Sequence, residues 1–286
     1  MNKEIVKLIY PQWQGGQNFN YVLGAKVMEA IVPNSEKMDE INVPVSLEKN
    51  GDKTSQIDDE AALIKQIQAA QVILEDRNPA KVITIGGDCS TSLASLDYLN
   101  GKYHGNLGVL WFDAHPDISS PEQSSHLHEM VISTLMNIGA KNVQNVLKHQ
   151  FSNKQFLLSG LIEKDLRPMD SNVFKYDINF VTPQVLKEDI APIIEWINQN
   201  NFEAVAVHLD LDVFSPQDFR SIYPAEPGLK IEDFPAAVGE MKIHQVFDIL
   251  AKIEHEKPLV GMTVAEHLPW DAINLRNNFK KLELFN

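Results

Sequence analysis

Two carboxylates and an imidazole stand at alternate positions in Trp111-Phe112-Asp113-Ala114-His115-Pro116-Asp117, directly after an apolar run. Alternate side chains of an extended segment share a side, so Asp113, His115 and Asp117 converge. Three ionisable groups crowded at a strand end repel and desolvate one another unless a cation neutralises them, and the pattern therefore points to a metal. A second segment, Val207-His208-Leu209-Asp210-Leu211-Asp212, again ends an apolar run with two carboxylates on one face. Taken alone, Asp210 and Asp212 could equally cap the turn at Ser215-Pro216. Beside the first segment they complete a ligand set. Four carboxylates and one neutral imidazole are hard, oxygen-dominated ligation, suited to Mn²⁺ or Mg²⁺ more than to zinc with its thiolate-rich sets. Four negative charges also suit two divalent ions, which about 3.5–4 Å apart can share a water and deliver hydroxide near neutral pH.

A third segment, Ile83-Thr84-Ile85-Gly86-Gly87-Asp88-Cys89-Ser90, runs an apolar strand into a glycine turn and then into a helix expected from Ser90 to Asn100. Neither the dinucleotide fingerprint nor the lysine of a P-loop follows, which argues against a nucleotide site.

Positioning these groups requires strands that end where they begin. Short β-branched runs at Glu4–Tyr10, Ile41–Leu47, Lys81–Ile85, Leu107–Phe112, Gln155–Ser159, Ala204–Leu209 and Leu259–Val264 read as buried strands. Helical spacing separates them. Leu63, Ile67, Ala70 and Leu74 form one stripe between Asp59 and Arg77, and Leu275, Phe279 and Leu282 another from Asp271. Thr182-Pro183 is a helix start, with Pro192 breaking or restarting that helix. Strand and helix in alternation predict an α/β fold, a three-layer α/β/α arrangement around a mostly parallel sheet, as a single domain over residues 1–286. Ligands of such sheets bind beyond the carboxyl ends of the strands, where all three segments lie.

The order and framing of the three segments resemble the arginase, or ureohydrolase, family, which includes arginase, agmatinase and formimidoylglutamase. The resemblance implies that Asp113 and Asp210 bridge two Mn²⁺ ions, with Asp117 on one ion and His115 and Asp212 on the other. It further implies that a metal-bridging hydroxide, hydrogen-bonded to Asp117, attacks a guanidinium carbon and releases urea. Asp117-Ile118-Ser119-Ser120-Pro121 is similar to the arginase version of its loop, which makes L-arginine the expected substrate and Ser119 and Ser125 candidate substrate contacts. Ser125-His126-Leu127-His128 resembles the loop carrying the proton-shuttle histidine, mapping that role to His128. Its plainer reading is a surface histidine. Thr263-Val264-Ala265-Glu266 resembles the segment whose glutamate fixes the guanidinium; otherwise Glu266 is an acid in the first turn of a helix.

The sequence departs from the family pattern where Cys89 replaces the histidine after Gly-Gly-Asp. A thiolate is a softer ligand than imidazole, so the ion shared with Asp117 is expected to be weak, absent or different. Glu129 stands in place of a glycine, His126 in place of an asparagine, and Ser215 in place of the last aspartate of the Asp-x-Asp-x-x-Asp-Pro pattern. A second reading therefore stays open: an arginase-fold binding or regulatory protein with reduced or lost catalysis.

With 39 acidic against 25 basic residues and a net charge of -14, the chain repels nucleic acid and anionic membrane and attracts a small cationic guanidino substrate. Its one cysteine cannot close an intrachain disulfide, and no secretory pattern opens the sequence, so a cytoplasmic location is expected. The resemblance also implies a homo-oligomer, trimer or hexamer.

Overall fold

The computed structural model describes residues 4–48 and 56–285. Among them, eight strands form one sheet: β1 (Ile5–Tyr10), β2 (Met38–Asn42), β3 (Lys81–Gly86), β4 (Leu107–Phe112), β5 (Phe156–Ser159), β6 (Asn179–Val181), β7 (Ala204–Asp210) and β8 (Leu259–Ala265). Their order is β2-β1-β3-β8-β7-β4-β5-β6, and each neighbouring pair is parallel. Parallel strands need crossovers, and helices supply them, covering both faces so that β4 and β7 are buried from end to end.

The strand period of two divides the core. Val109 and Trp111 pack with Leu63, Ile67, Ala70 and Leu74 of helix Glu60–Arg77 and with Leu93, Leu96 and Leu99 of helix Ser92–Lys102. Leu110 and Phe112 face the other way, toward Ile193 and Trp196 of helix Ala191–Gln199 and Val246, Ile249 and Ile253 of helix Ile243–Glu256. Truncating any of these large buried side chains to alanine costs about 2–5 kcal/mol.

The structure differs from the sequence-based expectation in four places. The second strand is Met38–Asn42 rather than Ile41–Leu47, because Pro44 has no N–H to give a ladder and the chain leaves the sheet there. The edge strand Asn179–Val181, only three residues long, is too short to show a period. The glycine turn enters a 3₁₀ turn, Cys89–Thr91, before its helix begins at Ser92. Finally, helix Trp270–Phe279 turns Trp270 and Ile273 inward and leaves Leu275 and Phe279 exposed, and Leu282 lies beyond its end, also exposed, so the stripe expected there does not face the core. The expected helix start at Pro183 and the restart at Pro192 are both present, as helices Pro183–Glu188 and Ala191–Gln199. Among the described residues no helix is long and apolar enough to cross a membrane.

Candidate metal centre

The four central strands, β3, β8, β7 and β4, are neighbours in the sheet, and each delivers acidic or sulfur side chains from its carboxyl end. Phe112 pairs with Leu209 and Asp210 with Ala265, so the register itself sets Asp113 and Asp210 at one level, with Glu266 one residue beyond it. After β4 the chain folds back on Asp113, whose Oδ1 accepts the His115 backbone N–H at 2.7 Å while Oδ2 accepts the Trp111 indole N–H at 3.1 Å. Asp117 then sits at φ +43°, a left-handed conformation that aspartate tolerates better than most residues. After β7, Asp210 Oδ1 accepts the Asp212 N–H at 2.8 Å, the local turn that a short acidic side chain makes. After β3 comes Gly87, where an added Cβ would lie 1.5 Å from the Gln12 carbonyl oxygen. Only glycine admits that approach. The Gly87 carbonyl in turn accepts the Glu266 N–H at 2.7 Å, holding Glu266 at φ +64°.

These side chains meet out of water. Asp113, Asp117, Asp210, Asp212, Glu266 and Cys89 are all buried. Burial, then neighbouring carboxylates, push Asp117 and Asp210 well above the usual carboxylate range. Burial lifts Asp113 to about 6 and Glu266 to about 7. Burial likewise raises the Cys89 thiol, reinforced by Asp210 and Glu266. His115 runs against its own desolvation: Asp212 at 3.2 Å and Asp113 at 3.3 Å from Nδ1 raise it, and its charge in return holds Asp212 low despite burial. Even so, His115 Nε2, Asp117 Oδ2, Asp212 Oδ1 and His208 Nε2 are buried without a hydrogen-bond partner among the described residues. Buried polar atoms left this way cost about 1–3 kcal/mol each.

Divalent cations fit this donor set. Ligand atoms of Asp113, His115 and Asp212 lie within 4.8 Å of one another, as do those of Cys89, Asp210 and Glu266, and those of Cys89, Asp113, Asp117 and His208. Asp113 belongs to two of the groups and Cys89 to two, so adjacent positions share donors. Three of the four orphaned atoms belong to residues picked out from the sequence, and each finds in a cation the partner it lacks.

A cavity of about 510 Å³ opens over the cluster, with Cys89, His115, Asp117, Asp210, Asp212 and Glu266 in its floor. His128 lines its wall. The His128 Nδ1 lies 2.8 Å from the Gly15 carbonyl oxygen, so Nδ1 carries the proton. His126 also lines the cavity, stacked on His128 with ring centroids 5.6 Å apart and 3.6 Å from Asp58. Glu129 adds no unpaired charge: Arg167 Nη1 donates to it at 2.6 Å and the Ser124 hydroxyl at 2.5 Å. The two serines lie elsewhere. Ser119 is buried with its hydroxyl donating to the Glu129 carbonyl at 2.7 Å, and exposed Ser125 donates to Asp58 at 2.9 Å. Neither lines the cavity.

Residues 24–273 match the sequence profile of the arginase family. This chain belongs to the arginase family. Among relatives, it is 28% identical over 188 residues to an arginase of Entamoeba histolytica, a stretch covering 61% of this chain and 64% of that protein. It is 29% identical over 166 residues to an arginase of Staphylococcus aureus, covering 56% of this chain and 53% of that one. The matched stretches thus span between half and two thirds of these relatives. A crystal structure of the Entamoeba histolytica arginase with L-ornithine superposes with a TM-score of 0.78 at 18% identity, covering 94% of this chain and 93% of that one, which shows the shared fold.

Two features of the site were not anticipated from the sequence. His208 enters the cluster from within β7, two residues before Asp210 and therefore on the same face. An imidazole in an otherwise apolar strand was the available signal. Arg167 reaches the cavity wall from a loop far along the chain, and no local pattern marks it.

Proposed function

We propose that this arginase-family protein hydrolyses a C–N bond of a guanidino or amidine compound, with L-arginine to ornithine and urea as the leading reaction. The observation that carries the proposal is the convergence of buried donor side chains from four adjacent strands under one cavity, with partner-lacking atoms at β4 and β7.

Asp113 and Asp210 would hold both of two divalent cations, His115 and Asp212 one of them, and Asp117 and Cys89 the other. Oxygen and imidazole donors on the His115 side suit Mn²⁺. Bound there, the cations supply a water acidic enough to lose a proton near neutral pH. The chain's own residues do the rest. The buried acidic floor draws a cationic head group into the cavity, since charges so far removed from bulk water attract more strongly than exposed ones. Glu266, to which Tyr21 donates a hydrogen bond, sits beside the cluster and accepts from the guanidinium N–H groups. The Asp117 oxygen not engaged by the cation would accept a hydrogen bond from the attacking water. His128, fixed through Nδ1, presents Nε2 to the cavity to pass a proton to the departing amine.

Urea release from L-arginine by the Mn²⁺-loaded protein tests this directly, alongside agmatine, guanidinobutyrate and formimidoylglutamate. Turnover of none of them would refute the catalytic reading. The Cys89 thiol, 2.8 Å from Asp210, favours a second reading, a binding or regulatory protein with reduced catalysis. Metal content separates the two: near two equivalents supports the enzyme, near zero the alternative.

A further inference from the structure

We propose that His208 is a direct ligand of the Cys89-side cation, and that this position, made of Cys89, Asp113, Asp117 and His208, takes a borderline ion such as Zn²⁺ or Co²⁺ in preference to Mn²⁺. The inference rests on the two-cation reading above and deepens it.

His208 is fully buried in the middle of the sheet, where a polar ring is costly unless both nitrogens are used. Only one is. Nδ1 lies 2.6 Å from the Ser92 hydroxyl, whereas Nε2 has no partner among the described residues. With the Nδ1 proton donated to Ser92, Nε2 presents a lone pair, the tautomer a metal requires; an orienting hydrogen bond on the far nitrogen is the usual companion of a metal-bound histidine. The ring is also held flat against Trp111, with centroids 3.6 Å apart and planes 13° apart. Trp111 and His208 are register partners on β4 and β7, two residues before Asp113 and Asp210 and so on the same face. The stack therefore fixes where Nε2 can go.

The second partner-lacking atom nearby is Asp117 Oδ2. Ligand atoms of Cys89, Asp113, Asp117 and His208 all lie within 4.8 Å of one another, so a single ion can reach the four. The set is one sulfur, one imidazole nitrogen and two carboxylate oxygens. With Asp210 shared between the two ions the set would reach five donors, and its pairing of thiolate with imidazole draws borderline ions such as Zn²⁺ and Co²⁺ more than Mn²⁺. The Asp113, His115 and Asp212 side has no sulfur and remains the harder position. The imidazole missing at position 89 is thus restored from the neighbouring strand.

The experiment uses the full chain, stripped and reloaded by equilibrium dialysis against Mn²⁺, Zn²⁺ or Co²⁺, with bound metal quantified and X-ray absorption recorded on the Co²⁺ form. The wild-type protein should bind two ions, one of them exchanging Mn²⁺ for Zn²⁺ or Co²⁺, with a sulfur shell at about 2.3 Å and imidazole scattering from that ion. His208→Phe keeps the stack on Trp111 but removes the donor; it should weaken that site by about 10- to 100-fold and lower the imidazole signal, leaving the other site unchanged. Ser92→Ala, which leaves the ring in place but frees it, should weaken the same site by a smaller factor and serves if His208→Phe does not fold. Unchanged affinity and imidazole scattering in whichever of these variants folds would overturn the proposal. Two tightly bound Mn²⁺ ions indifferent to Zn²⁺ and Co²⁺ would overturn it while sparing the two-cation reading, whereas a wild-type protein that binds no ion at all would overturn both.

Discussion

Replacing Asp113 by asparagine should make the metal-free protein more stable and the metal-loaded protein weaker at once. Asp113 is buried and held at about 6, against an ordinary value near 3.8. Burial is the main cause, so ionising this group in the fold costs about 3 kcal/mol relative to the unfolded chain. The sign follows from the folded value lying above the unfolded one: stability from this group is complete below about pH 4 and is lost as pH rises through about 6. Asparagine never ionises and keeps the oxygen that Trp111 donates to, but its amide nitrogen meets the His115 N–H that Oδ1 accepted, a loss of about 1–3 kcal/mol. In chelator at pH 8 the net gain of up to about 2 kcal/mol should raise the melting temperature by up to about 8 °C, from roughly 2–4 °C per kcal/mol for a chain of this size. Its advantage should vanish near pH 4. With Mn²⁺ in thousandfold excess over its dissociation constant the wild type gains about 4 kcal/mol, and the variant, short of a shared ligand, should gain far less. Thermal unfolding followed by circular dichroism across pH 4–8, with and without Mn²⁺, measures all of this. An asparagine variant less stable than wild type in chelator at pH 8, or equally stabilised by Mn²⁺, would refute the idea that burial of these carboxylates is sustained by cations.

Three other outcomes follow from the same geometry. Cys89→His, exchanging a soft donor for imidazole, should tighten Mn²⁺ binding about tenfold in a calorimetric titration; unchanged affinity would place residue 89 outside the ligand set. Glu266→Gln should lower kcat/KM for a guanidino substrate by at least about 30-fold, the loss of one member of a buried charged pair, while leaving the melting temperature in chelator equal or higher. His267 is held neutral by burial at about 4, so its contribution is fully present above pH 6.5 and is lost as pH falls toward 4, by about 3 kcal/mol in all; His267→Gln should flatten that part of the stability profile, and an imidazole NMR titration midpoint near 6.5 in the wild type would contradict it.

What the sequence reveals and what it hides divide along the range of the interactions. Alternation within a strand is local, so the meeting of Asp113, His115 and Asp117, and of Asp210 with Asp212, follows from residue spacing alone. The layered sheet follows in the same way from Leu63, Ile67, Ala70 and Leu74, all fully buried in the structure. The same period, applied to Leu275, Phe279 and Leu282, misleads, because spacing specifies a stripe without specifying a partner for it. Pro44 was visible, but the strand boundary it imposes depends on where the sheet edge falls. The pairing of Glu129 with Arg167 joins positions 38 residues apart, and the hydrogen bonds that turn Ser119 and Ser125 away from the cavity depend on Glu129 and on Asp58 in a different loop. Such contacts arise only once the loops have been placed by the sheet. His208 is the intermediate case: its parity with Asp210 was legible, but its unused nitrogen was not.

Because the proposed cation ligands come from β3, β7 and β4, a loaded centre would also act as a clasp on the sheet. A slip of one residue between β4 and β7 would throw Asp113 or Asp210 to the opposite face and dismantle the ligand set. Cation affinity thus monitors strand alignment, and a loaded centre penalises any misaligned sheet by the whole of its binding free energy. Amide exchange near Phe112, Asp210 and Ala265 should slow together when the ions bind, as the two halves of the sheet lose the freedom to open independently.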